Sequence, residues 1–338
     1  MLTIFPFKGV LSQNRFQDQT ECFYIYQVRT SLGEYSALIA TISIESIRDK
    51  VVLPHEETYE SRKDSLHKTF STDSTQHNPI LLITDDESFR EKKQQLFSER
   101  ENISGDEDLL GCTHLLSRSC FSNANIILKS TLCVADGHHR IEALLRYHQK
   151  KRNCSKSATV MVAILNVENV NNRAKGVIIS PNEDIQNAYF CIKTPQIFQK
   201  LQIYFDIKET SVAITPISSI DFCMYYLGKW YQLRLKSCFF DMEIDGLLGI
   251  EIFRKFILNK IFNINKYTQQ KSVKMYFNDC NITMISNYIK KDEDLFGFVV
   301  AADPSDKIIK ASREGRILEP NSTYFEPKFI NGMISHLL

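Results

Sequence analysis

The spacing of apolar residues changes several times along this chain, and each change predicts an element. Residues 23–28 (Phe-Tyr-Ile-Tyr-Gln-Val) and 36–42 (Ser-Ala-Leu-Ile-Ala-Thr-Ile) are rich in aromatic and β-branched side chains, with Ser31, Leu32, Gly33 and Glu34 as a turn between them. They read as a β-hairpin. An apolar segment follows at 51–53, a polar helix-like stretch runs through Lys68, and 80–83 (Ile-Leu-Leu-Ile) reads as a short strand. Residues 126–128 and 132–135 read as buried extended chain, after which Ile141, Leu144, Leu145 and His148 recur at helical spacing. A continuous apolar run at 158–165 then predicts another buried strand.

Two regions break this alternation. Residues 85–108 are densely charged with acids in excess and include Ser104-Gly105-Asp106-Glu107-Asp108, which predicts an exposed helix followed by a mobile loop. Near 166–175 asparagines and charges replace the apolar pattern, which sets a boundary there and divides the chain into 1–165 and 166–338. Beyond it, 246–265 reads as an amphipathic helix, and 226–235, 272–277 and 296–301 read as strands. The aromatic residues of this half, including the single tryptophan Trp230, read as core. The fold class is therefore α+β: a mixed sheet with helices, followed by a second α+β half.

Composition narrows the classes of partner. A chain of 338 residues with 43% hydrophobic composition can bury one large core or two medium ones. A formal net charge of +1 supplies no broad basic surface, and only Lys150, Lys151 and Arg152 cluster, so nucleic acid is not an expected partner. No run of about 18 apolar residues occurs, so no membrane span is expected. The first eight residues are broken by Pro6 and do not read as a signal peptide. Nine cysteines without a Cys-x-x-Cys pair suit neither a zinc ribbon nor a disulfide framework. They read as small buried side chains in a reducing compartment, and the expected location is cytoplasmic.

The candidate chemistry lies in three clusters. Asp136-Gly137-His138-His139-Arg140 joins the strand 132–135 to the following helix. A helix start presents N–H groups and a positive dipole end to an anion, and Gly137 lets backbone and ligand approach. Arg140 offers a fork of donors for phosphate, while Asp136 can hold Mg²⁺ or accept a hydroxyl proton. Successive helical side chains diverge by about 100°, so His138 and His139 do not read as a shared metal pair. Pro54-His55-Glu56-Glu57-Thr58 offers a second carboxylate, and it also reads as a helix start with proline and acids in its first turn. Between Pro320 and Pro327, Ser322, Thr323 and Tyr324, with Lys328 just beyond, form a polar loop suited to an anion.

In this order, Leu-Pro-His-Glu-x-Thr, Asp-Gly-His-His-Arg and Ser-Thr-Tyr-Phe-x-Pro-Lys resemble the family catalogued as domain of unknown function 1015. That family is similar to the free L-serine kinases and to the wider ParB and sulfiredoxin superfamily. Phe5-Pro6-Phe7-Lys8, Tyr24-Ile25-Tyr26, Asn78-Pro79-Ile80 and Gly297-Phe298-Val299-Val300 agree with it. The resemblance implies a ParB/sulfiredoxin-like nucleotide-binding first half. It also implies phosphoryl transfer from ATP or ADP, with Mg²⁺, to the hydroxyl of free serine or a related metabolite. Carried over, it gives Asp136 and Glu56 as catalytic, with Asp136 the Mg²⁺ ligand. Gly137, His138, His139 and Arg140 fall on the nucleotide phosphate, and His55, Ser322, Thr323, Tyr324 and Lys328 on substrate or anion.

Three departures accompany the resemblance. Residues 13–23 lack the family's Pro-Pro-Tyr-Asp, residues 177–182 stand where a Thr-His-Arg segment is common, and Asn321 replaces a lysine. They point to an alternative, a diverged nucleotide-binding regulatory or scaffold protein without transfer. In either case the final loop is expected to return to the cleft of Asp136, and the distance from Lys328 to Asp136 tests that.

Overall fold

Alternate residues of the first predicted strand part company: Phe23 and Ile25 join one large hydrophobic cluster, while the equally buried Tyr24 and Tyr26 face away from it. Side chains alternate between the faces of a strand, so this pattern is a sheet covered on both sides. It is seen in a computed structural model that describes residues 1–11, 16–30, 33–108, 111–120, 124–150, 158–179, 194–240, 244–265, 273–276, 282–290 and 295–338. Ser31 and Leu32 of the predicted turn, Lys151 and Arg152 of the basic cluster, residues 13–15 and 180–182, and the strand ends Ser272 and Phe277 lie outside them.

Contacts divide the chain into two units. The first comprises Met1–Asn171, Ile309–Pro320 and Phe325–Leu338, and the second Asn172–Ile308 and Asn321–Tyr324. The change of unit at 171 falls inside the polar stretch marked by the sequence. Two C-terminal pieces of the 166–338 half are grouped with the first unit.

Among the described residues, the first unit holds a ten-stranded mixed sheet. From one edge the order is Val52–Leu53, Leu132–Asp136, Ile80–Thr84, Thr159–Asn166, Gly33–Ser43, Phe23–Thr30, Thr113–Ser119 and Glu101–Glu107. Leu2–Phe5 pairs with both Gly33–Ser43 and Ile126–Leu128. Two pairings are parallel, Leu132–Asp136 with Val52–Leu53 and Thr159–Asn166 with Ile80–Thr84, and the rest are antiparallel. Phe23–Thr30 and Gly33–Ser43 form the expected hairpin, with Thr30 opposite Gly33. Helices Glu60–Asp73 and His138–Lys150 are tied by Arg146, which donates to Glu60 at 2.6 Å and Asp64 at 3.0 Å. Ile141 and Leu144 carry the second helix into the cluster around Leu82, Val134 and Val162.

The acidic stretch departs from its reading. Glu87–Ser98 is the helix, but Glu101–Glu107 is an edge strand paired antiparallel with Thr113–Ser119, not a mobile loop. Cross-strand hydrogen bonds supply what its side chains lack in apolar burial, and a charged edge discourages pairing with other chains.

The cysteine reading also needs correction, because Cys22 and Cys120 form a disulfide across 98 residues. It lies beside the register pair Phe23 and Ser119, so strand pairing rather than sequence spacing brings the sulfurs together. Cys22→Ser is expected to cost about 2–4 kcal/mol of unfolding free energy in oxidising buffer. Urea titrations with and without reductant check this: a variant indistinguishable from the parent in oxidising buffer refutes it.

Among the described residues of the second unit, a six-stranded antiparallel sheet runs Phe205–Thr210, Lys229–Leu235, Asp221–Tyr226, Phe296–Val300, Lys175–Ile179 and Val273–Tyr276. The strand predicted over 226–235 is instead the turn and second arm of a hairpin. Leu227 and Gly228 turn the chain with φ of 46° and 78°. Residues 249–252 are α-helical and Phe253–Ile261 is π-helical. The aromatic residues are core as expected: Trp230 is buried, and Phe253 and Phe262 meet Phe298 edge-on at 5.3 and 6.0 Å. No helix among the described residues is long and apolar enough to cross a membrane.

Candidate functional site

The site begins with an irregularity in a strand. Leu132–Asp136 pairs with Ile80–Thr84 through Cys133–Ile83 and Val134–Leu82, but Asp136 then faces Leu81, so the register slips at Ala135. A bulge of this kind re-aims the next side chain. Here the slip leaves Ala135 as the extra residue and ends the strand with Asp136 opposite Leu81, as helix His138–Lys150 begins, with Ile141 N–H donating to Gly137 O at 3.0 Å. The first-turn N–H groups have no partner within the helix.

Gly137 is required by the conformation: its φ is +101°, and a Cβ there would lie 3.0 Å from Arg140 Nε and 3.1 Å from Nη2. That open space is where the guanidinium bends back, and Nη2 donates to Asp136 Oδ2 at 2.9 Å. Gly137→Ala is expected to cost about 1–3 kcal/mol through the strained φ and the displaced guanidinium. Chemical denaturation measures it, and an unchanged midpoint refutes it.

Asp136 has a second cation. Lys328 Nζ lies 3.5 Å from Oδ1, so both carboxylate oxygens face positive charge. Partial burial pushes the carboxyl up, but Lys328 and Arg140 outweigh it and hold it below the usual carboxylate range. Lys328 and Asp136 stay partly exposed, 40% and 44% of their side chains. The expected return of the final loop to Asp136 thus holds for Lys328.

Both histidines of the motif turn inward. The backbone N–H of His55 donates to His138 Nε2 at 3.3 Å, and that of Tyr59 to His139 Nε2 at 3.0 Å. A ring nitrogen that accepts carries no proton, so each ring is neutral with its hydrogen on Nδ1. Burial, with His55 nearby, pushes His138 down to about 3, and burial with Arg62 lowers His139. Through these bonds His138 and His139, the residues expected on the nucleotide phosphate, fasten residues 55–59 to the helix start. Tyr59 also stacks on His139, centroids 5.9 Å apart.

The same fastening places Glu56. Residues 55–57 run beside Leu318, with Leu318 N–H donating to His55 O at 2.7 Å and Glu57 N–H donating to Leu318 O at 2.8 Å. Glu56 Oε1 lies 3.6 Å from His55 Nε2, and its side chain is 9% exposed. His55 is fully buried, edge-on to His138 at 4.6 Å and to Phe325 at 5.9 Å, and its Nδ1 lies 3.7 Å from Cys133 Sγ. Burial disfavours its charged form, yet Cys133 and Glu56 outweigh that and raise its pKa. Asp136 and Glu56 both favour the charged forms of His138 and His139, against the effect of burial.

Cys133, Tyr59 and Phe325 were not legible as site residues. Cys133 sat within the apolar run 132–135, Tyr59 among polar residues just past the acidic motif, and Phe325 as the apolar member of the polar loop motif, none with a chemical signal of its own. Ser322, Thr323 and Tyr324, read as a substrate loop, belong to the second unit. There Ser322 Oγ accepts from Arg254 Nη1 at 2.7 Å, and Tyr324 N–H donates to Asn172 Oδ1 at 3.0 Å.

Mg²⁺ is held by one or two carboxylates together with substrate phosphates, and Asp136 is the carboxylate here that would supply one of them. Both Asp136 oxygens face cations, and no group of three or more His, Cys, Asp or Glu side chains suited to a metal occurs among the described residues. To serve as a Mg²⁺ ligand, Asp136 would have to exchange these cations for the ion.

No curated protein matches the sequence. Among solved structures the chain is similar to a conserved hypothetical protein from Pyrococcus furiosus, at 13% identity over 86% of this chain and 92% of that one, TM-score 0.42. It is similar to a free serine kinase in complex with AMP, at 11% identity over 86% and 88%, TM-score 0.43. It is also similar to SbnI with a C-terminal truncation from Staphylococcus aureus, at 11% identity over 85% and 82%, TM-score 0.46. The family model described as protein of unknown function (DUF1015) matches residues 6–255, a span that takes in both the Glu56 and the Asp136 motifs, and the chain belongs to that family.

Proposed function

We propose that the chain is a nucleotide-dependent small-molecule kinase, transferring a phosphoryl group from ATP or ADP to the hydroxyl of free serine or a related metabolite. The observation that carries the reading is Asp136 at a helix start, with Lys328 on one carboxylate oxygen and Arg140 on the other. Phosphoryl transfer passes through a loose transition state, so placing groups and neutralising charge supply most of the catalysis. Arg140, Lys328 and the first-turn N–H groups hold the transferred phosphate. Asp136 remains anionic and orients the acceptor hydroxyl. Glu56 takes the hydroxyl proton as the new O–P bond forms, and the bridging O–P bond breaks with its electron pair leaving on the nucleotide. His138 and His139 keep residues 55–59, and with them Glu56, against the motif.

The test is to incubate the protein with serine and ATP or ADP, as magnesium salts, and follow phosphorus NMR. Phosphoserine is expected. No phosphorylated product across a panel of hydroxy amino acids sinks the reading.

A second reading is favoured by one observation: the chain's own cations already neutralise Asp136, an arrangement that also suits a nucleotide-binding regulator without transfer. Calorimetry would then show nucleotide binding with no turnover, and Asp136→Ala would keep the biological effect.

A further inference from the structure

Lys328 reaches Asp136 from a part of the chain without regular secondary structure, so something else must fix its position. On one side Phe325 is fully buried against His55. On the other, the Phe329 ring meets Tyr26 edge-on at 4.7 Å, and Ile330 N–H donates to the Tyr26 hydroxyl at 3.0 Å. Tyr26 is 1% exposed and stands on an interior strand of the sheet, third from one edge. It lies opposite Leu116, and so diagonal to His114, on the neighbouring antiparallel strand.

The hydrogen bonds there have a direction. The Tyr26 oxygen accepts from Ile330, which leaves its own proton for His114 Nδ1 at 3.1 Å. With Nδ1 accepting, the neutral ring carries its proton on Nε2, and Nε2 donates to Asp108 Oδ2 at 3.2 Å. Asp108 is itself fixed, since Oδ1 accepts from Cys112 N–H at 2.9 Å. Burial raises the Tyr26 pKa and keeps it a neutral hydroxyl. The rings of Tyr26 and His114 are 5.9 Å apart, edge-on. Each group in the chain therefore has one orientation, and the last in line is a backbone N–H two residues from Lys328. Such a chain costs little to keep in order once its members are buried and satisfied, whereas one missing member leaves a buried polar group unpaired.

We propose that the buried hydrogen-bonded chain Asp108–His114–Tyr26 is a positioning device that seats residues 329–330 and thereby holds Lys328 over Asp136. The residues act through Lys328 and touch no substrate, and the functional consequence rests on the reading of Lys328 and Asp136 as the phosphate-handling pair.

Tyr26→Phe removes one oxygen and keeps the ring, so the full chain remains usable. Two measurements report on Lys328 without any activity: hydrogen exchange of the Ile330 amide, and the rate at which Lys328 is acetylated by a small reagent, read by mass spectrometry. Both are expected to rise by about fivefold, the loss of one hydrogen bond. Nucleotide affinity, by calorimetry, should weaken by a similar factor. His114→Ala should do the same, and His114→Gln, whose amide can both accept and donate, should recover part of the loss. Asp108→Asn gives a milder second route. Parent-like Lys328 labelling in both Tyr26→Phe and His114→Ala overturns the inference. If labelling rises in those variants while even the parent binds no nucleotide, the positioning role stands and the kinase reading fails.

Discussion

Asp136→Asn is expected to lower phosphoryl transfer to serine by about 10²–10³-fold in kcat, the range for losing a charged group that orients the acceptor. The change keeps shape and removes charge. Arg140 and Lys328, freed from their shared carboxylate, remain to meet a phosphate, so nucleotide affinity should hold or tighten while turnover collapses. Steady-state kinetics with parallel calorimetry separates the two. A variant within about threefold of the parent in kcat would remove Asp136 from the mechanism. Stability gives an independent signature. The folded carboxyl sits below its ordinary value of 3.8, so its ion pairs stabilise the protein above that pH and are lost as pH falls through the folded value. Parent and variant melting temperatures should differ near neutrality and converge in acid, and a constant gap across that range would show that the charge pairing contributes nothing.

Glu56→Gln is expected to have the next largest effect, about a hundredfold or more in kcat, with nucleotide affinity unchanged. In the proposed mechanism Arg140 and Lys328 hold the phosphate, whereas Glu56, 3.6 Å from His55 Nε2, takes the hydroxyl proton. Its removal should therefore spare phosphate binding and remove only the acceptor of the hydroxyl proton. The glutamine keeps a polar group beside His55, which limits the change to charge. Equal losses in affinity and turnover would place Glu56 on the nucleotide instead.

The parts of the fold that were legible rest on short-range pattern. The aromatic-rich run at 23–28, the β-branched run at 36–42 and the apolar run at 158–165 each became strands of one sheet. Ile141, Leu144 and His148 gave the motif helix. The edge strand Glu101–Glu107 was not legible, because its place is secured by backbone pairing with Thr113–Ser119 and not by apolar side chains. The hairpin at Leu227 and Gly228 hid inside an aromatic run that looks continuous in one dimension.

By itself the sequence determined the α+β class, a strand, glycine and helix around Asp136, and motifs sufficient to point to the family. These follow from residue type and spacing over a few positions, where propensity and periodicity act. Tertiary structure alone decided that Lys328 meets Asp136, that His138 and His139 turn to the backbone of His55 and Tyr59, and that Cys133 lies against His55. It likewise decided that Cys22 bonds to Cys120. The physical reason is register. A one-residue slip at Ala135 aims Asp136, and strand pairing brings together residues that no local rule relates.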